Sequence, residues 1–135
     1  MNKEELLKLS EGKLKEDKLQ LLPNGKFKYN SNIDLTSMEL SSLPIWLSEI
    51  EEVRGGFYCD YNSLTSLEHC PSKIGGNFYC YDNSLTSLEH MPKEIGGNFN
   101  CASNKLPKNN FKGMSFKEIR AYYNLKSNLA YFESL

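Results

Sequence analysis

The chain has 135 residues, 24% charged and 39% hydrophobic, with 17 acids against 16 bases and a net charge of −1. That length allows one domain with a modest core, and the balance fits a folded chain rather than a disordered one. The mixed charge excludes the strong positive field that nucleic acid demands, and no stretch approaches the roughly 20 apolar residues of a membrane span. The start, MNKEELLKL, sets two acids before a run too short and too charged for a secretion signal. The expected location is therefore the cytoplasm.

In chain order, residues 3–20 carry Leu6, Leu9, Leu14 and Leu19 among many Glu and Lys. The pattern predicts one or two short amphipathic helices interrupted near Gly12 and ended by Leu21, Leu22 and Pro23. The stretch GKFKYN, 25–30, adds an expected strand beside the first repeat.

Internal repetition dominates the middle of the chain. GGFYCDYNSLTSLEHCPSKI recurs as GGNFYCYDNSLTSLEHMPKEI and begins again as GGNFNCASNKL. Steps of 21 residues relate Phe57, Phe78 and Phe99; Cys59, Cys80 and Cys101; Asn62, Asn83 and Asn104; and Leu64, Leu85 and Leu106. Val53, Ile74 and Ile95 keep the same step. A degenerate earlier copy fits at Ile33-x-Leu35-x-x-Met38-x-Leu40-x-x-Leu43-Pro44, 24 residues before Phe57. Such self-similarity is the mark of a solenoid, in which each unit buries its apolar side against the next.

Within each unit a short strand turns its first and third residues inward and its second and fourth outward. Stacked units place the Asn of each turn above the last, where its amide bonds backbone groups of its own and the neighbouring turn. Met38 replaces that Asn in the first copy, as an end unit tolerates. The paired glycines at 55–56, 75–76 and 96–97 are expected to supply positive φ for a tight turn into the strand. Pro71 and Pro92 favour an extended or 3-10 convex segment, since 21 residues leave no room for a full outer helix.

Pro107 to Gly113 is a turn-rich break. Ser115-Phe116-Lys117-Glu118 then reads as a capping box opening a helix, with Phe116, Ile119, Tyr122, Tyr123, Leu129 and Phe132 as its apolar side. Tyr122, Tyr123 and Tyr131 are candidates for partial exposure on it. The expected organisation is a single structural domain: an N-terminal cap, 1–32; the repeats, 33–110; and a C-terminal helical cap, 111–135.

The frame F-x-C-x-x-N-x-L-x-x-L resembles the leucine-rich-repeat frame L-x-L-x-x-N-x-L over about 33–110. The resemblance implies an α/β solenoid of about four leucine-rich repeats, 21–24 residues each, with short parallel strands and helical caps at both ends. The wording G-G-x-F-x-C-x-x-N-x-L-T-S-L is similar to that of short leucine-rich-repeat proteins of bacteria and bacteriophages. That similarity implies a protein that binds and modulates a host or competitor protein, for instance as an inhibitor, in the host cytoplasm if phage-encoded.

Chemistry-bearing residues were weighed against packing roles. Cys59, Cys80 and Cys101 share one inward strand position, about 4.8 Å apart from turn to turn. They read as reduced core residues, because adjacent parallel strands are awkward for disulfide geometry. No C-x-x-C pair marks a redox or metal site. His69 and His90 follow Glu68 and Glu89 at equivalent positions and read as a convex surface feature, with Cys70 the only further ligand type nearby in sequence. There is no G-x-S-x-G, phosphate loop or H-E-x-x-H. The expectation is no enzyme, no cofactor, no catalytic residue and no metal.

The outward positions vary while the inward ones do not. The second positions are Asp34, Tyr58, Tyr79 and Asn100; the fourth, Thr36, Asp60, Tyr81 and Ala102; the fifth, Ser37, Tyr61, Asp82 and Ser103. The expected partner-binding patch is Tyr58, Asp60, Tyr61, Tyr79, Tyr81 and Asp82. Tyrosine gives large contact area at low entropy cost, and the aspartates favour a protein partner with a basic surface. Competing readings are a single-stranded nucleic-acid binder that stacks bases on the rings, which the aspartates oppose, and a metal or redox protein built on the Cys and His columns. The first repeat's edge strand also offers pairing to a second copy.

Overall fold

The computed structural model describes residues 1–134, with side chains for all but 127, 128, 130–132 and 134. The expectations for Tyr131 and Phe132 fall on side chains outside those described.

Helix α1 spans Lys3–Leu9. Asn2 caps it, its side-chain oxygen accepting from the Glu5 amide at 2.8 Å, and Leu6 is its buried residue. The helical pattern stops there, short of Leu19. Gly12 takes φ +85, a 3-10 turn covers Glu16–Lys18, and Leu19–Leu21 is a strand, β1. It pairs antiparallel with β2, Phe27–Tyr29. Leu14 and Leu19 are buried as a helix would bury them, which is why apolar spacing alone misread this stretch. The GKFKYN segment thus supplies β2, which pairs parallel with a strand of the next turn.

From Ile33 onward the chain is a small β-solenoid of about four turns. The inner strands are β3 (Ile33–Asp34), then β5 (Phe57–Tyr58), β7 (Phe78–Tyr79) and β9 (Phe99–Asn100). They form one parallel sheet in that order, with Ile33↔Phe57↔Phe78↔Phe99 in register. Between them run β4 (Ile50–Val53), β6 (Lys73–Ile74) and β8 (Glu94–Ile95), which continue the hairpin into a second sheet of order β1-β2-β4-β6-β8. The extended convex segments therefore pair with one another instead of remaining isolated turns. In the first turn a 3-10 turn at Ile45–Glu49 precedes the paired strand β4.

The core fills the space between the sheets as continuous columns. Phe57, Phe78, Cys59, Cys80, Leu64, Leu85, Leu67 and Leu88 are all inaccessible to solvent. Phe78 packs between Phe57 and Phe99, ring centroids 5.7 and 5.5 Å away. All four cysteines are free. Burial pushes the thiols of Cys59, Cys70 and Cys80 well up, and that of Cys101 up to about 11, so these sulfurs stay protonated and pack as small apolar groups.

The asparagine ladder has a direction. Asn83 Oδ1 accepts from the Leu64 amide of the preceding turn at 2.9 Å. Its Nδ2 donates to the carbonyls of Cys59, Cys80 and Tyr81. Asn62 and Asn104 repeat the arrangement. Each amide serves its own turn and the one before it. The first turn has no predecessor to serve, and Met38 stands there without loss.

The glycine pairs do other work than expected. None of Gly55, Gly56, Gly75, Gly76, Gly96 and Gly97 has positive φ. Instead the corners of successive turns touch: a Cβ on Gly75 would collide with the Arg54 carbonyl oxygen, and one on Gly96 with that of Gly75. Within the repeated turns the positive φ angles fall on side-chain-bearing residues: Glu39 at +57 in the first turn, and two columns, Ser37, Tyr61, Asp82 and Ser103 at +53 to +57 and His69 and His90 at +78 and +70. Histidine is among the residues that tolerate this region, so the repeated His marks a backbone bend.

After the last turn, Pro107–Phe111 forms a single helical turn, α2, whose Lys108, Asn109, Asn110 and Phe111 have φ between +51 and +58. It is left-handed, a conformation costing about 1–2 kcal/mol per residue for most side chains and less for Asn. Helix α3, Phe116–Ser134, follows. Its capping box is formed: Glu118 N donates to Ser115 Oγ at 3.1 Å, and Ser115 N to Glu118 Oε1 at 3.0 Å. These bonds hold the Glu118 carboxyl below its ordinary range. Phe116 packs edge-on against Phe99, and Ile119 is buried. The Tyr123 hydroxyl accepts from the Leu88 amide at 2.8 Å, tying the helix to the third turn.

Candidate functional site

The alternation of side chains along β5 and β7 sends Phe57, Phe78, Cys59 and Cys80 inward and Tyr58 and Tyr79 outward. Register then stacks Tyr58 on Tyr79, centroids 5.4 Å apart. Tyr79 lies 6.0 Å from Tyr81, and Tyr81 5.1 Å from Tyr61, edge to face. The four rings form one continuous cluster spanning two turns, each pair within the range of favourable aromatic contact. Gly56 makes room for it: a Cβ there would collide with the Tyr58 ring.

Asp82 is exposed beside this cluster, at φ +57. Asp60 is not. Expected on the open face, it is 4% exposed. Period-two alternation fixes only the direction of a side chain. Neighbours decide its access, and here Thr36 and Tyr81 flank it in the same column. The Thr36 hydroxyl reaches Asp60 Oδ1 at 3.4 Å, and Tyr81 takes the equivalent position in the following turn. Desolvation first, then the Asp60 charge, then the bond to Tyr61 push the Tyr81 phenol up to about 12. The carboxylate thus contributes little to the outer surface.

Tyr61 is half-exposed at φ +55. The equivalent positions hold Ser37, Asp82 and Ser103, small or polar residues that bear left-handed backbone more cheaply than an aromatic ring. A bulky side chain held in this conformation within a surface cluster is the kind of local strain found where function requires a side chain in one place.

The end turns treat the same positions differently. Asp34 Oδ1 accepts from the Thr36 amide at 2.9 Å, and bonding to Thr36 holds the Asp34 carboxyl below its ordinary range. Asn100 Oδ1 accepts from the Ala102 amide at 3.0 Å. Both side chains close on their own turn.

Two features went unseen in the sequence. Thr36 ties the first turn to Asp60. A cavity of about 490 Å³ lies beside the last turn, lined along Phe99–Ser103 and, opposite, along Asn109–Met114. Alternation around Asn100 and Ala102 gave no hint of it, since its far wall is the left-handed turn.

His69 and Cys70 line a smaller cavity with Lys26, Ser48, Ile50, Glu51 and Ser72. Among the described residues, no three His, Cys, Asp or Glu converge to hold a metal ion, and no helix is long and apolar enough to cross a membrane. Neither the family models, nor the curated proteins, nor the solved structures compared with this chain give a match.

Proposed function

We propose that the chain is a short leucine-rich-repeat protein that binds a partner protein through the tyrosine face of its inner sheet, with α1 and α3 acting as caps on the repeats. The observation carrying this reading is the cluster of Tyr58, Tyr79, Tyr81 and Tyr61, four rings in mutual contact on the strand face turned away from the core. Stiff amphipathic side chains of this kind supply contact area at little entropic cost and dominate interface energetics. Exposed Asp34 and Asp82 give the face an acidic border, which favours a partner presenting Lys or Arg. The resemblance of the repeat wording to bacterial and bacteriophage proteins supports an inhibitor or modulator that works by occupancy, in the cytoplasm and without chemistry of its own.

The test is affinity capture from a bacterial host extract with the native chain and with Tyr58→Ala/Tyr79→Ala, followed by mass spectrometry. A protein retained by the native chain and lost with the double variant, at nearly unchanged Tm, supports the reading. Equal retention by both removes the tyrosine face from it.

A further inference from the structure

The inner sheet is built on one repeated hydrogen-bond step. In each of the first three turns, the amides at the first, third and fifth positions donate to carbonyls of the following turn. Ile33, Leu35 and Ser37 donate to Gly56, Tyr58 and Asp60. Phe57, Cys59 and Tyr61 donate to Asn77, Tyr79 and Tyr81, and Phe78, Cys80 and Asp82 to Asn98, Asn100 and Ala102. All nine bonds lie between 2.7 and 3.2 Å. The last turn has the same three donors, the amides of Phe99, Cys101 and Ser103, and among the described residues none of them meets an acceptor. Cys101 is a buried residue, where an unmet amide is costly.

The cavity of about 490 Å³ runs along that row, lined by every residue from Phe99 to Ser103. This volume lies within the range of ligand-binding sites. The rest of the chain is held off. Asn110 anchors the left-handed turn, its Oδ1 accepting from the Leu106 amide at 2.9 Å and its carbonyl from Cys101 Sγ at 3.5 Å. Helix α3 meets the side chain of Phe99 through Phe116 and lines the cavity with Ile119, without giving the three amides an acceptor among the described residues. The lining contains Lys112 and no acid.

We propose that this edge takes a short extended peptide segment of a partner, added parallel to β9, whose alternate carbonyls accept from Phe99, Cys101 and Ser103. The pairing is β-strand addition at an exposed sheet edge. The segment is free of proline where its amides face β9 and must donate, and it carries an acidic side chain toward Lys112. The inference goes beyond the tyrosine face and does not depend on it.

The probe is a synthetic peptide copying residues 77–83 with serine in place of Cys80, a sequence that already pairs in this register on β5, two turns earlier. Amide exchange of the full-length chain is followed by NMR with and without it. At a peptide concentration about ten times its Kd, exchange at Phe99, Cys101 and Ser103 slows about tenfold, and Ala102→Trp, which fills the cavity from an exposed position, abolishes the effect without lowering Tm. Tyr58→Ala/Tyr79→Ala leaves the protection unchanged, so failure of the tyrosine reading and failure of this one are separable. Three results overturn the proposal: no protection at saturating peptide, protection of these amides already equal to that of Phe78 and Cys80 in its absence, or a concentration-dependent dimer that protects them without peptide, which would seat a second copy there.

Discussion

The middle turns and the end turns share one backbone and differ in what they do with it. At the second strand position the middle turns carry Tyr58 and Tyr79, which stack on each other and face outward. The end turns carry Asp34 and Asn100, which fold back onto the amides of Thr36 and Ala102. A middle turn has neighbours on both sides to satisfy its backbone, so its outward side chains are released for other contacts. In an end turn the side chain at this position instead bonds the fourth-position amide of its own turn. At the last turn it does not reach the amides of Phe99, Cys101 and Ser103, which lack a neighbour. Placement in the stack thus separates side chains that face outward from side chains that close on their own turn.

The largest effect expected from this contrast is in the core. Phe78→Ala, inaccessible and packed between two rings, should cost about 3–5 kcal/mol, whereas Phe99→Ala, half-buried at the end, should cost about 2 kcal/mol. Urea unfolding of both variants checks the ratio, and equal losses would mean that the last turn is as tightly held as the third. Next comes the ladder. Asn83→Ala removes bonds to four backbone groups in the interior of the stack, at about 3 kcal/mol. Asn104→Ala removes as many, but water reaches that end, and about half the loss is expected.

A smaller effect appears at alkaline pH. Tyr81 is raised in the folded state above its ordinary 10 to about 12. The folded chain therefore retains the phenol proton where the unfolded chain releases it. The stability this provides is complete below pH 10 and disappears as pH climbs through 12. Ultraviolet titration should show a phenol ionising near 12, and Asp60→Asn, which removes the neighbouring charge, should bring it down. The smallest change is expected for Tyr61→Asn. Relief of left-handed backbone, about 1 kcal/mol, offsets the lost edge contact with Tyr81, also about 1 kcal/mol, so Tm should scarcely move while partner binding falls. A clear drop in Tm would show that Tyr61 is held for stability.

The stack of turns was legible because its evidence is arithmetic: Phe, Cys, Asn and Leu recur at one step, and only superposed turns bury all four columns together. The capping box at Ser115 and Glu118 was legible for a similar reason, since it needs two residue types at one spacing. The outer sheet was not, because its strands are two to four residues long and residues such as Lys73 and Glu94 look like solvated loop. The glycines were assigned the wrong property: sequence does not separate a residue that must bend from one that must stay small. Tyr58, Tyr79 and Tyr81 point outward as alternation requires, whereas Tyr61 and Asp82, at odd positions, come to the surface at left-handed backbone that alternation does not foresee. The burial of Asp60 could not be foreseen either, because it depends on the Thr36 and Tyr81 side chains of the turns on either side.

The corner glycines carry one more implication. Gly75 rests on the Arg54 carbonyl and Gly96 on that of Gly75, so the junction between turns is nearly the same wherever it occurs, and residues 62–69 and 83–90 are identical, NSLTSLEH. Duplicating one 21-residue unit at such a junction would reproduce every interior contact and leave both termini untouched. The molecule is in this sense a ruler with interchangeable divisions: its length grows by one strand spacing, about 4.8 Å, and each added division brings a new row of outward side chains open to selection.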